Sequence, residues 1–559
     1  MSGKRTSTKS FKKPLTLRTK TNRIRKGQSS SVNPTQRKFR DEAKSKVFGG
    51  FPSKAQQHNG CAHEDAVVGT DDAVDRLSFA ETESNCTGES DWTLGSIATM
   101  NRRVDIFLLL HKWDPTSPLH KEMLAMYNAS TEIIKSKGGQ QSDTEYFALL
   151  MTTLEAVDTD ISRTSAAALL AIFAKRVPAA VLRKKFSWIT KKCIDFIKLY
   201  AQSTHVVLLR NLLCLLTSCL KSIDLATWSE SSTLQVFGIM FPYIVHTKPK
   251  LRKFTQKAIC NILTNSTIMA ASDAPLTHPA VPALVSFCLP IIKSSAATSL
   301  PVSTLHIFGF FKLALHLFPQ AEVKATCEAV LQVMGAGHPT VVRCGLVMLQ
   351  SFFSSRPRPA VTLSPELNAQ LVNALYDYKP GLRDHKLYDV WLVTVQEALS
   401  NLQRSSDELF LSNLPKFVGI VVDSWGTGRS ETSFTASMVL TALLKQSFQA
   451  CLDKEEDQSS LSSLCLTAGA KVVEHMQRAL HYQFASAWDH VLSSWSACFE
   501  VLGKKCATHM LQPLSNIAEL RESETYSNSA VVDRTIATAV KTMGPELVLK
   551  AIPLDISEE

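Results

Sequence analysis

The sequence predicts an all-α chain, an α-solenoid of stacked short helices behind a disordered N-terminal tail. Three observations carry that expectation. From about residue 104, apolar residues recur at helical spacing in segments of roughly 12–20 residues, separated by short Pro, Gly, Ser or Asp punctuation. No segment alternates convincingly as a half-buried strand would. At 559 residues the chain exceeds what one compact core normally supports, and helices that bury only against their neighbours suit such a length.

In chain order, helical segments are expected near 118–137, 143–157, 161–176, 179–201, 204–220, 232–245, 249–264, 279–293, 303–318 and 320–334. They continue near 338–354, 364–377, 385–402, 407–424, 430–450, 460–480, 483–502, 504–520 and 528–542. Starts are marked by Ser142-Asp143, by Pro249, Pro279 and Pro339 at first-turn positions, and by the cap-like Ser364-Pro365-Glu366. His246-Thr-Lys-Pro249-Lys-Leu251-Arg252 and Gly337-His-Pro339-Thr-Val-Val342-Arg343 share a pattern, a proline followed within one turn by an aliphatic–Arg pair. Helix-pair repeats of the HEAT type use it: the aliphatic residue enters the core between repeats and the arginine braces the adjoining turn. The expected fold is therefore a HEAT/armadillo-like solenoid, with a repeat near 40–47 residues only approximately kept.

Charge divides the chain differently. Residues 1–40 hold 13 Lys and Arg and no acid, out of 61 Lys+Arg against 50 Asp+Glu overall, so the remainder carries 48 against 50. The basic balance belongs to one tail, not to the body, and an acid-free block of this kind attracts polyanions without a fold of its own. Residues 60–92 reverse the sign, with nine acids and one base. The expected organisation is a disordered basic tail at 1–55, a disordered acidic linker at 56–103 and the solenoid at 104–559, divisible near 451–460. The acidic block reads as a solvating linker; a competing reading folds it back on the basic arm. A mitochondrial presequence is the rival for residues 1–40, opposed by Pro14, Gly27 and the scarcity of apolar residues. No run is long and apolar enough for a membrane span, since Arg210 and Asn211 break the most apolar one.

Candidate polyanion contacts follow from charge. In the tail they are Lys4, Arg5, Lys12, Lys13, Arg18, Lys20, Arg23, Arg25, Lys26, Arg37, Lys38 and Arg40. In the body, a continuous helix from Val181 to Tyr200 would gather Leu182, Phe186, Ile189, Cys193, Phe196, Ile197 and Tyr200 on one face. Lys184, Lys191 and Lys198 would line the other, flanked by Lys185 and Lys192, with Trp188 among them. Two readings stay open: a solvated face whose lysine stems cover Trp188, or a phosphate-contacting stripe with an aromatic platform. A second cluster surrounds Pro249, where Lys250, Lys253 and Lys257 are the outward candidates and Arg252 the turn brace.

Enzyme signatures are missing. Gly426-Thr-Gly428-Arg-Ser430 is not a nucleotide loop, and no metalloprotease, hydrolase or kinase motif appears. No catalytic residue, cofactor or metal site is expected. Thirteen cysteines without CxxC spacing, most inside apolar helical runs, read as small core hydrophobes in a reducing compartment. Tyr376-Asp-Tyr378-Lys379-Pro380 reads as a helix exit or as a contact loop.

Longer strings carry a family resemblance. Thr144-Glu-Tyr-Phe-Ala-Leu-Leu-Met-Thr-Thr-Leu-Glu-Ala-Val157, Lys175-Arg-Val-Pro178, Leu367-Asn-Ala-Gln-Leu-Val-Asn-Ala-Leu-Tyr-Asp-Tyr378 and Thr542-Met-Gly-Pro-Glu-Leu-Val-Leu-Lys-Ala-Ile-Pro-Leu-Asp555 resemble the ribosomal RNA-processing protein twelve family, from residue 118 to 556. The resemblance implies a nonenzymatic nucleolar or nuclear HEAT-repeat factor. Such a factor would bind precursor ribosomal RNA and ribosome-assembly proteins and support rRNA processing, subunit maturation and nuclear export. Members of the family are longer, so the match is to an N-terminal half, as in a shortened isoform, an incomplete gene model or an N-terminal portion. The alternative expectation is a karyopherin-like transport receptor that binds cargo and a small GTPase. Neither expectation involves a membrane.

Overall fold

A computed structural model describes residue 114 and residues 116–294, 302–454, 459–523 and 526–553, all within the unit Val68–Glu559. The basic tail, the acidic linker and the rest of the first 113 residues lie outside these. The described residues contain helices and turns and no strand.

The helices begin with Pro118–Ser136 (α1), Asp143–Ala156 (α2), Asp160–Phe173 (α3), Ala179–Lys184 (α4), Phe186–Tyr200 (α5), Val206–Ser222 (α6), Leu225–Trp228 (α7) and Ser231–Gly238 (α8). They continue with Pro249–Asn265 (α9), Val281–Ser294 (α10), Val302–Ala314 (α11), Gln320–Met334 (α12), Pro339–Ser354 (α13), Pro365–Asp377 (α14), His385–Ser405 (α15) and Asp407–Trp425 (α16). The last are Ser430–Ala442 (α17), Gln449–Asp453 (α18), Ser459–Arg478 (α19), Trp488–Leu502 (α20), Ala507–Glu522 (α21), Ser529–Met543 (α22) and Pro545–Ala551 (α23).

Local chemistry sets many of these ends. Ser142 and Glu145 form a reciprocal capping box at α2, the Ser142 hydroxyl accepting from the Glu145 N–H and the Glu145 carboxylate accepting from the Ser142 N–H at 2.8 Å. Ser364 and Ser406 accept first-turn N–H groups of α14 and α16. Pro249, Pro339 and Pro365 occupy first-turn positions, where a missing N–H costs nothing. Pro279 does not: α10 starts at Val281, because the His278 ring accepts the Ala280 N–H and holds a turn there. Gly544 joins α22 to α23 with φ 91°, a left-handed conformation that a side chain would strain.

The helices stack in two rows. One row runs α3, α6, α9, α11, α13, α15, α17, α20 and α22, and each helix packs on the next. The other supplies the helix before each: α2 packs on α3, α5 on α6, α10 on α11, α12 on α13, α14 on α15, α16 on α17, α19 on α20 and α21 on α22. At the third position α9 packs on the 3-10 turn Phe241–Val245 that follows α8. The chain is thus an α-solenoid, and its repeat is written in its hydrogen bonds. Tyr378 Oη donates to Leu331 O, 47 residues earlier; Thr394 Oγ1 to Leu346 O, 48 earlier; and Thr267 Oγ1 to Ile223 O, 44 earlier. These bonds tie successive helix pairs one repeat apart, and the spacing is only approximately kept: the corresponding bond runs from Ser496 to Thr535 across 39 residues and from Ser437 to His490 O across 53.

The core is continuous through the stack. Trp391 and Trp425 are fully buried, with Nε1 donating to Leu375 O at 2.7 Å and Ser433 O at 3.3 Å. Each bond joins the two helices of one pair while the ring fills the space between them. The HEAT-type arginine works as expected at Arg252, whose Nη1 donates to His246 O at 2.8 Å while Leu251 is buried beside it. At the second motif Val342 is buried, but Arg343 is exposed and forms no such brace among the described residues. The described cysteines are free and buried or half-buried. Burial pushes the Cys193, Cys260, Cys288 and Cys327 thiols up to about 12, so they act as core hydrophobes. No described helix is long and apolar enough to cross a membrane.

Several described segments depart from the sequence reading; the expected helix 303–318 ends in a 3-10 turn at Leu315–Leu317, and the expected helix 483–502 opens as one at Tyr482–Ala487. The expected helix 179–201 breaks at Lys185 (φ −105°, ψ 10°), because α4 packs separately on α6 and Arg183 Nε donates to Ser222 O. The expected helix 232–245 becomes α8 plus the 3-10 turn, with Pro242 at the junction. The segment 430–450 contains a π-helical turn, Leu443–Phe448. Here packing outweighs local periodicity.

Candidate nucleic-acid interface

The break at Lys185 reorganises the lysine stripe. Lys184 ends α4 and Lys185 forms the turn, so neither continues the face of Lys191 and Lys198 as a single helix would have it. Within α5, Phe186, Ile189, Cys193, Ile197 and Tyr200 are buried, the face expected from the sequence, while Phe196 is half-buried. Opposite them Lys191 and Lys198 are exposed one above the other. Trp188 is 41% exposed and Leu199, on the same side of α5, is 66% exposed. Lys192 is not a free cation, since its Nζ pairs with Glu155 of α2 at 3.3 Å.

A groove of about 530 Å³ opens between α5 and the segment running from α7 into α8. Lys191, Lys198 and Arg183 line it, together with Asp195, Glu230, Thr190, Ser232 and Thr233. The structure therefore brings two of the five expected α5-region lysines into one cleft and leaves Lys184, Lys185, Lys192 and Trp188 outside it. Arg183 also donates to Ser222 O at 3.1 Å and lies 3.9 Å from Asp224, so part of its charge is committed to the scaffold.

The second basic cluster lies on α9, which packs on α6, the partner of α5. Lys250, Lys253 and Lys257 are exposed at i, i+3 and i+7, one side of the helix. Lys248 instead reaches back to Thr204 O at 3.2 Å, and Arg252 is held by the His246 and Thr247 carbonyls. Burial depresses the Arg252 and His246 pKa values, and for His246 the neighbouring Lys248 adds to the effect. The twelve tail candidates, Lys4 to Arg40, lie outside the described residues.

Sequence reasoning missed Ser232 and Thr233. The signal was Glu230-Ser-Ser-Thr233 read as the opening of a helix, a composition suited to a first turn. The Tyr376–Pro380 segment proves to be a latch: the Tyr378 hydroxyl donates to Leu331 O, and Lys416 Nζ lies 4.0 Å from the Tyr376 ring centroid. Among the described residues no group of three or more His, Cys, Asp or Glu side chains is placed to hold a metal ion.

Known proteins match this chain along its length. The family described as RRP12-like, N-terminal HEAT repeats, matches residues 109–358, and the family described as Ribosomal RNA-processing protein 12, HEAT repeats, matches 427–559. An RRP12-like protein of Gallus gallus is 34% identical over 96% of this chain and 42% of its own length. The RRP12-like protein of Homo sapiens is 34% identical over 99% of this chain and 43% of its own. That of Drosophila melanogaster is 27% identical over 95% and 41%. The chain thus spans about two fifths of the length of these curated relatives. With both HEAT-repeat families matched in order and the solenoid in place, the chain belongs to the RRP12-like family.

Proposed function

We propose that this chain serves ribosome biogenesis as a nonenzymatic scaffold in the nucleus or nucleolus. It binds precursor ribosomal RNA and assembly proteins and so supports rRNA processing, subunit maturation and export. The observation that carries the reading is the family membership, since relatives of this chain are named ribosomal RNA-processing proteins. Two features of the chain support it. Exposed lysines lie on α5 and α9 in successive repeats, and the acid-free stretch at residues 1–40 supplies charge that a phosphate backbone neutralises. An extended helical stack offers surface along every repeat for protein partners.

The test is gradient sedimentation of a nuclear extract containing the tagged chain. Migration with precursor ribosomal particles, abolished by ribonuclease, supports the proposal. Migration at the top of the gradient with soluble cargo and a small GTPase rejects it in favour of a transport receptor.

A further inference from the structure

The groove between α5 and α8 has an unusual set of donors at its base. The first turn of α8 lacks a side-chain cap, because its N-cap residue is Glu230 and no side chain accepts from the turn. The Ser231 and Ser232 N–H groups have no backbone acceptor among the described residues, as expected at a helix start left open. Thr233, in the same turn, is 1% exposed and lines the groove, yet its hydroxyl has no hydrogen-bond partner among the described residues. A buried hydroxyl without a partner costs about 1–3 kcal/mol. That cost is relieved when an acceptor arrives.

Across the groove stand Lys191 and Lys198 of α5. Uncapped N–H groups at the positive end of a helix, a hydroxyl and two ammonium groups together fit a phosphate. The groove also holds two carboxylates, Asp195 and Glu230, and the Glu230 carboxylate accepts from Ser232 Oγ at 3.1 Å. A purely anionic ligand gains nothing from them. A ribose-phosphate does, because its 2′-hydroxyl is a donor beside the phosphate. The exposed Trp188 ring, next in sequence to the groove residue Ser187, adds a surface on which an unpaired base can stack.

We propose that this groove seats one ribose-phosphate of single-stranded RNA, with the phosphate on Ser232, Thr233, Lys191 and Lys198 and the 2′-hydroxyl on Asp195. The assignment rests on the RNA-binding reading above and gives it an address. It also makes the body of the chain, rather than its basic tail, the part that distinguishes RNA from DNA.

The test titrates the full chain with a labelled single-stranded RNA 12-mer, the DNA of the same sequence, and a phosphoserine peptide, over a range of salt. The wild-type chain is expected to prefer RNA to DNA. Lys191→Gln with Lys198→Gln lowers the slope of log affinity against log salt by about 0.7 for each phosphate no longer neutralised. Thr233→Val weakens RNA binding about tenfold or more with the slope unchanged, because the variant has no neutral donor to offer a charged group. Thr233→Ser retains binding and shows that the valine effect is not misfolding. Asp195→Asn narrows the RNA–DNA difference. RNA binding by the wild type that these substitutions leave unchanged overturns the groove assignment while the proposed function stands. A wild-type chain that binds no RNA, or a phosphopeptide bound through Thr233 in place of RNA, overturns the assignment, and the first of these removes its foundation as well.

Discussion

The Tyr200 hydroxyl donates to Asp160 Oδ1 at 2.6 Å, across 40 residues of sequence, and accepts from Arg163 Nη1 at 3.0 Å. One side chain at the end of α5 is thereby tied to the start of α3, so neighbouring helix pairs are joined by a polar clasp as well as by their core. Asp160 also lies 3.4 Å from His205 Nε2 at the entry to α6. Tyr200→Phe keeps the ring and removes the clasp. The expected loss is about 1–2 kcal/mol, read by denaturant unfolding with unchanged helix content.

Trp391 is fully buried between α14 and α15. Its indole N–H satisfies Leu375 O in the last turn of α14, where a helix has no internal donor left. Trp391→Phe leaves that carbonyl unsatisfied and opens space in a fully buried site, at a cost of about 2–4 kcal/mol. Thermal melts against the wild type measure it.

The stack should also weaken in acid. His278 is 2% exposed, packs edge-on against Trp228, and has its pKa pushed down to about 4 by burial. A histidine with a depressed folded-state pKa is held neutral in the fold, so the unfolded chain takes up more protons between about pH 4 and 6.5. Stability therefore falls as pH drops through that window and is recovered above it. The difference between melting curves at pH 7 and pH 4.5 should shrink in the His278→Phe variant, which carries no proton at this site, while the half-buried His246 and His316, also held below the ordinary histidine range, keep the remainder.

Arg252 separates bracing from RNA contact. Its guanidinium is engaged by the His246 and Thr247 carbonyls, a fork that lysine does not reproduce. Arg252→Lys should speed amide exchange in the turn before α9 and leave the salt dependence of RNA binding unchanged. Lys253→Gln, at an exposed position, should do the reverse.

The basic tail makes its own prediction. Deleting residues 1–55 removes the acid-free block from the chain. If six phosphates are neutralised by it, wild-type affinity for RNA falls roughly 10³-fold between 50 and 200 mM salt, and the shortened chain shows a much shallower fall. Equal affinities and equal slopes reject a role for the tail.

Helix existence and order were legible in the sequence because each helix buries one stripe, and that stripe is written at a spacing of three and four residues. Capping at Ser142 and Ser364 and the brace at Arg252 were legible for the same reason, being local chemistry. The break at Lys185 was not. Periodicity runs straight through it, and only the packing of α4 on α6 separates the two halves. Leu225–Trp228 and Pro545–Ala551 are too short to show a period, so nothing in the sequence marked them as helices. The lysines of α5 were visible as charge, but their groove was not. Its other wall comes from α8, some forty residues later, and the orphaned Thr233 hydroxyl exists only once the wall is built.

The most direct measurement is ultraviolet crosslinking of the full chain within purified precursor ribosomal particles, with the crosslinked peptides and RNA both sequenced. Precursor ribosomal RNA is expected to be joined to peptides spanning Lys191–Lys198 or Ser231–Thr233. Particles in which the chain yields no RNA crosslink in α5 or α8, or from which it is absent altogether, would contradict that expectation.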